Sequence, residues 1–241
     1  MLEHLQQEHG RQIRDDLVAV LIKALLVHGA GLPEQAKLPL TAVLKNGTRP
    51  VNLKEAIARY MGYGAVNIER VLACTEQRAT ILGCGEIREN EVHEYRFPLP
   101  VGLADTKAWR RMVVTLAWFT PINSGHRNLR EAKLELSPED NWKNLPLKLE
   151  RKDADNNQVL RGTVQHEVLE SERHIAAFKD GDSFLLHVTC KADATEKLDE
   201  AIPYGLAVTL EVAEGVRIPI YQQIRARIRA QVAIGVSMGK S

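Results

Sequence analysis

The hydrophobic period of this chain changes once, near Cys74, and that change constrains the fold more than any other feature. Before it, apolar residues recur at helical spacing. In residues 14–28, Leu17, Val20, Leu21, Ala24, Leu25 and His28 share one face, and Asp15 and Asp16 sit where the positive end of a helix dipole favours them. Val18, Ile22, Leu26 and Val27 are apolar as well, so this helix is greasy almost all round and needs cover on more than one side. Gly29, Gly31 and Pro33 end it, and residues 34–45 and 53–61 read as two shorter helices split by Asn46-Gly47 and Pro50. Gly62 and Gly64 bracket Tyr63 in a tight bend, and Asn67 is placed to cap a last short helix through 70–73.

After Cys74 the runs are short and alternate or are continuously apolar: 78–82, 93–97, 111–119, 129–136, 145–151, 163–169, 183–191 and 204–212. Polar linkers separate the later ones. Many short strands with almost no helical pattern between them predict an antiparallel sandwich or jelly roll, so the fold class expected is α+β, helices first and sheets after. Residues 218–232 fit two periods at once. Ile220, Ile224, Ile228 and Val232 make a helical stripe behind Pro219, whereas Ile224, Ala226, Ile228, Ala230 and Val232 alternate with Arg225, Arg227, Arg229 and Gln231 as a strand would. Periodicity leaves both open, with helix the favoured reading.

Several function classes are disfavoured early. A net charge of +1, from 32 Lys and Arg against 31 Asp and Glu, creates no field to attract nucleic acid or an anionic membrane. The Arg225, Arg227 and Arg229 row lacks interleaved aromatics and is read as a solvated or ion-paired face. Gly83-Cys84-Gly85 is too short to cradle phosphate, and no G-x-x-x-x-G-K occurs. Cys74, Cys84 and Cys190 are an odd set without a C-x-x-C pair, which fits inert thiols in a reducing compartment. The opening residues carry no secretory apolar stretch, and no run approaches the ~20 residues of a membrane span. A cytoplasmic location is expected.

Three stretches carry a resemblance to the subtilisin-like serine peptidases: LIKALLVHGA at 21–30, GYGAVNIERVL at 62–72, and VTLAWFTPIN at 114–123 followed by His126. With ACTEQRATILGCGEI at 73–87, the later part is similar to the C-terminal β-domain of a bacterial subset of that family. The resemblance implies that residues 1–74 are the helical end of a catalytic domain and that 75–241 form a sandwich, jelly-roll-like as in the related proprotein convertases. It implies a parent endopeptidase, with the family's Gly-Thr-Ser-x-Ala nucleophile segment and its aspartate and histidine boxes upstream of Met1. Ser124, Ser137, Ser171, Ser183, Ser237 and Ser241 all lie outside Gly-Thr-Ser or G-x-S-x-G contexts, so no catalytic residue is expected here. His28 lies in Val-His-Gly, which superficially resembles the histidine box, but at a helix end, where a capping or core role is expected. The expected partner is the parent's catalytic domain. The greasy face of residues 17–27 requires either the sandwich or another copy of the chain, so self-association is a second expectation.

The alternative is a non-catalytic jelly-roll module that binds protein or carbohydrate through the loop after strand 111–119, with Trp118, Asn123 and His126 as its contact residues. The competing reading makes Trp118 and Phe119 strand anchors and Asn123 a turn tie, and it is favoured because aromatics are only 5% of the chain and a core must draw on them. His166, Glu167, Glu170, Glu172 and His174 are the densest ligand-type cluster. Strand alternation would split His166 from Glu167, and a solvated sheet edge is expected rather than a metal site. The family resemblance also raises calcium. Asp153, Asp155, Asn156 and Asn157 offer oxygen ligands but lack an EF-hand's glycine and closing glutamate, so a polar turn and no cofactor are expected.

Overall fold

The computed structural model describes residues 13–45, 53–72, 74–142, 144–151, 158–171 and 174–237. The fold is α+β and mainly β. Helix α1 (Asp15–His28) opens with two acidic residues and closes where the Gly29 N–H reaches the Leu25 carbonyl at 3.0 Å. A two-residue strand β1 (Ala30–Gly31) follows, then helices α2 (Glu34–Lys45) and α3 (Leu53–Met61), which pack on each other. Strand β2 (Ala65–Val66) returns antiparallel to β1, and Asn67 Oδ1 accepts the Arg70 N–H at 3.2 Å to cap α4 (Ile68–Leu72). Gly64 makes this return feasible. Its φ is +93°, and a Cβ there would lie 2.2 Å from the Gly31 carbonyl oxygen.

Eight strands follow, β3 (Arg78–Ile87), β4 (Val92–Pro98), β5 (Arg110–Trp118), β6 (Ala132–Pro138), β7 (Glu150–Arg151), β8 (Val164–Ser171), β9 (Ser183–Ala192) and β10 (Ile202–Val212). A 3-10 turn (Val101–Leu103) precedes β5, the short helix α5 (Gln158–Arg161) precedes β8, and helix α6 (Ile220–Ser237) comes last. Among the described residues all strand pairings are antiparallel. The larger sheet has the order β3-β10-β5-β8-β7 and the smaller one β4-β9-β6. The two sheets face each other across one core, to which β5 gives Met112, Val114, Leu116 and Trp118, β10 gives Leu206, Val208 and Leu210, β6 gives Leu134 and Leu136, and β9 gives Leu186 and Val188.

The opposite face of the larger sheet is covered too. Alternate residues of β5 and β10, among them Ala117 and Ala207, meet Leu21, Ala24 and Leu25 of α1. Covering both faces explains why β5 and β10 read as continuous apolar runs rather than as alternating ones. The cover needed by residues 17–25 therefore comes from the sheet of the same chain.

One sequence expectation is corrected, and one reading left open takes its favoured form. Residues 145–151 pair as a strand only at Glu150–Arg151, because Lys148 adopts a φ of +51° and its N–H turns back to the Leu145 carbonyl. Leu145, Leu147 and Leu149 nonetheless reach the core from this irregular backbone. The ambiguous tail is a helix, since Ile220 and Ile224 have to meet the core together with the partly buried Ile228, and a spacing of four places all three on one helical face.

Candidate functional site

The seam between α1 and the larger sheet carries an extended network of polar and titratable side chains. At its N-terminal end Arg14 bonds Asp16 on its own helix and Glu86 of β3 at 3.0 Å. Midway, Gly205 of β10 lies directly beneath the helix. A Cβ on Gly205 would sit 2.8 Å from the Leu21 Cα and 3.0 Å from the Val20 oxygen, so backbone meets backbone here. Lys23 Nζ donates to the Trp118 carbonyl at 2.8 Å and to Thr163 Oγ1 at 2.5 Å, with the Phe119 ring centroid 5.0 Å away; burial lowers the pKa of its ammonium group.

At the C-terminal end His28 engages both ring nitrogens. Nδ1 lies 2.9 Å from Thr115 Oγ1, and Nε2 lies 2.6 Å from Thr209 Oγ1, which is itself 2.7 Å from Thr80 Oγ1. The Thr115 hydroxyl is also 2.8 Å from His166 Nδ1, so one hydroxyl joins two buried imidazoles. The Tyr63 ring meets His166 edge-on with centroids 5.6 Å apart. Burial is the first cause that pushes His28 well below the ordinary imidazole range, helped by His166, Arg111 and Arg70; burial and Arg111 take His166 down to about 4. Beside them, Glu211 Oε1 accepts from Arg70 at 2.7 Å and from Arg111 at 3.1 Å, and Glu170 stands 3.4 Å from Arg111 Nε.

His166 and Glu167 do project to opposite faces of β8, but the expected solvated edge is corrected. His166 is sealed under the helix, and Glu167 lies at 1% exposure on the core side, where Arg151 grips both carboxylate oxygens at 2.7 and 2.8 Å and Gln158 adds a third donor at 3.0 Å. Burial raises the Glu167 pKa and Arg151 opposes that rise. β8 is an interior strand because β7 pairs on its other side, which the short run at 150–151 did not reveal.

The loop after β5 is divided by depth. Trp118 is fully buried, its Nε1 donating to the Ala132 carbonyl at 3.3 Å, so its ring belongs to the core and offers no surface platform. Asn123 ties the turn, donating from Nδ2 to the Ala194 carbonyl at 2.7 Å and accepting the Gly125 N–H at 3.0 Å. His126 is exposed and its Nδ1 accepts the Asn128 N–H at 3.2 Å. Phe119 is half exposed beside Lys23 rather than buried as a second anchor.

Ser171 Oγ is 3.5 Å from His174 Nδ1, and Glu150 Oε1 is 4.0 Å from the same nitrogen. A catalytic triad needs the serine and the acid on different ring nitrogens, so this cluster does not relay a proton from serine to acid. The calcium-type residues Asp153, Asp155, Asn156 and Asn157 lie outside the described residues, as does Glu172. Among the described residues no group of three His, Cys, Asp or Glu is placed to hold a metal ion. No helix among them is long and apolar enough to cross a membrane. None of the three cysteines is disulfide-bonded, and burial pushes the Cys190 thiol up to about 11, far from a reactive thiolate.

A second cluster went unnoticed in the sequence because its members are far apart along the chain. Tyr204 Oη lies 2.6 Å from Tyr95 Oη and 2.7 Å from His93 Nδ1, at the rim where β3 and β4 close the core. An open cleft of about 620 Å³ lies there, lined by Cys84, Gly85, Glu86, Glu94 and this trio. Gly83 supplies the room, because a Cβ on it would lie 2.6 Å from the Tyr95 ring. The paired glycines at 83 and 85 were the available signal.

No family model matches the chain. A protein of Sinorhizobium fredii, described as uncharacterized protein y4bN, is 24% identical over 237 residues, covering 88% of this chain and 51% of that protein. The chain therefore spans about half the length of that relative. Among solved structures, a chain from the acidic stable capsid of Helicobacter pylori bacteriophage KHP30 matches with a TM-score of 0.27 at 10% identity, covering 57% of this chain and 92% of its own. A chain from the structure titled "AvmM Catalyzes Macrocyclization in Alchivemycin A Biosynthesis" matches with a TM-score of 0.15 at 14% identity, covering 59% and 68% respectively. Neither likeness is close enough to carry an argument about fold or function.

Proposed function

We propose that this chain is the C-terminal part of a subtilisin-like serine endopeptidase, in which a jelly-roll sandwich holds the last helices of the catalytic domain and has no proteolytic activity of its own. The observation that carries this reading is the seating of α1. The helix that resembles the family's post-nucleophile helix is fixed by the sandwich at three levels: Arg14 to Glu86 at its start, Leu21 over Gly205 in its middle, and His28 to Thr115 and Thr209 at its end. A nucleophile carried just ahead of such a helix takes its position from the helix, and a misplacement of about 1 Å can cost ~100-fold in rate. The sandwich would thus act as a positioning element, with the chemistry supplied by the preceding half of the parent protein.

Strand order supports the jelly-roll part. Counting β3 to β10 as first to eighth, the sheets run first-eighth-third-sixth and second-seventh-fourth, the interleaving that two Greek keys produce. The fifth strand departs from it, pairing beside the sixth instead of the fourth. The length of the relative, about twice the matched span, leaves room for a preceding domain in a protein of that size.

The test is the reading frame ahead of Met1 and the protein it encodes. The expected result is an in-frame Gly-Thr-Ser-x-Ala whose serine is labelled by a fluorophosphonate in the parent protein, while the 241-residue chain stays unlabelled. A labelled serine within residues 1–241, or a parent without that segment, overturns the reading.

A further inference from the structure

We infer that the seam between α1 and the larger sheet is an acid-released latch: His28 and His166, joined through the Thr115 hydroxyl, hold α1 and α4 on the two-sheet body and let them go as the pair takes up protons. The inference rests on how the core is divided and on what surrounds the two rings. It stands whether or not the chain belongs to a peptidase.

The apolar core is split at the seam. Among the described residues, its main cluster draws its buried members from Ala79 to Ile224 and takes none from α1 or the short helices that follow it. Helix α1 is held by two much smaller clusters, Leu21, Leu25, Val71 and Ala207 in one and Ala24, Ala117 and Val164 in the other. Leu17 and Val20 of α1 are buried as well, but outside the main cluster, and a segment that lies outside the main core opens at lower free energy than the body it sits on. The two-sheet body can therefore keep its core while the helices leave.

The polar ties of the helix are Arg14 to Glu86 at its start, Lys23 to the Trp118 carbonyl and Thr163 midway, and His28 to Thr115 and Thr209 at its end. Of these, the His28 group is the one whose imidazoles titrate between about pH 4 and 7. Neutral imidazoles satisfy the chain Thr80–Thr209–His28–Thr115–His166, because each hydroxyl can donate along one link and accept along the next. Added charge has nowhere to go. From α4 comes Arg70, from β5 Arg111, from β3 Arg78 and the neutral Thr80; Lys23, the other cation of α1 on this side, turns to the Trp118 carbonyl. The carboxylates on this face are Glu211 of β10, already shared by Arg70 and Arg111, and Glu170 of β8, opposite Arg111. Among the described residues no hydrogen bond or ion pair joins either carboxylate to an imidazole, and Tyr63 covers His166 with its ring edge.

The sign follows from linkage. Released imidazoles titrate near their ordinary ~6.5, whereas the docked pair is held below that, with His166 near 4. The docked state binds fewer protons, so the latch is fully closed above about pH 6.5 and weakens as pH falls from there toward about 4. Each proton taken up on release lowers the docking equilibrium about tenfold per pH unit, and two lower it about a hundredfold.

Hydrogen–deuterium exchange of the whole chain from pH 7.5 to 4.5, expressed as protection factors corrected for intrinsic rate, tests this directly. Amides of residues 18–28 and 68–72 are expected to lose protection by at least tenfold per pH unit below about 6.5, while β5, β9 and β10 keep theirs. His28→Gln with His166→Asn, which retain hydrogen-bonding atoms but cannot titrate, are expected to flatten that dependence. Should the double variant fold poorly, the imidazole titrations of the native chain by NMR decide: both rings must protonate together with the loss of helix protection. Helix protection that persists to pH 4.5, that vanishes together with the core strands, or that falls equally in the variants because Glu211 and Glu170 carry the effect, overturns the latch.

Discussion

At Gly205 an added methyl group meets helix backbone and has no room of its own. Because its neighbours at 2.8 and 3.0 Å are the backbone of α1 rather than the tip of a side chain, Gly205→Ala forces the helix off the sheet. A loss of roughly 1–3 kcal/mol is expected, read as a lower urea midpoint. Arg110 is the opposite kind of residue, a fully buried cation with no carboxylate partner among the described residues, whose guanidinium donates to the carbonyls of Leu147 and His174 at 2.7 Å each and of Ala108 at 3.2 Å. Arg110→Met keeps much of the volume and strips these carbonyls of their donor, so roughly 2–4 kcal/mol is expected to be lost in the same measurement. Neither role was legible in the sequence, since a glycine in an apolar strand and an arginine at a strand start reveal nothing about what crosses them 184 and 37 positions away. The anchoring of Trp118 was legible, because a chain with so few aromatics places its tryptophans where they bury most area.

At the scale of elements, α1 shows how far a pattern reaches. Its limits, its acidic first turn and its inward face were all readable from residues 14–28, and so were the helices at 34–45 and 53–61 and the Asn67 cap. What covers α1 was not readable, because Ala117, Ala207 and Gly205 are small residues whose value lies in letting a helix approach. Leu25 sits fully buried at that contact, and Leu25→Ala is expected to cost about 2–5 kcal/mol. The loss should appear mainly as faster exchange in α1, with the sheets little changed. Periodicity failed where backbone and side chains disagree. Residues 145–149 carry a strand's alternating leucines on a turn, and 220–228 carried two periods until the core chose the one that aligns Ile220 and Ile224.

For the whole molecule, the main core draws its buried members from Ala79 onward, while Leu21, Leu25 and Val71 pack on Ala207 and tie the helices to it. Residues 74–241 alone are expected to unfold cooperatively with Trp118 still buried, as reported by tryptophan fluorescence and near-ultraviolet circular dichroism, though with a lower midpoint than the full chain and a tendency to associate through the uncovered face at Ala117, Val164 and Ala207. A non-cooperative transition in that fragment would show that the helices are integral to the core. Strand order has one more consequence. β10 is the eighth strand of the body in sequence yet lies between β3 and β5 in space. During synthesis on the ribosome, β3 has no neighbour in its sheet until the stretch ending at Val212 emerges, so a nascent chain stalled before that point would expose two unfilled edges to chaperones and proteases, whereas one stalled a few residues later could already close.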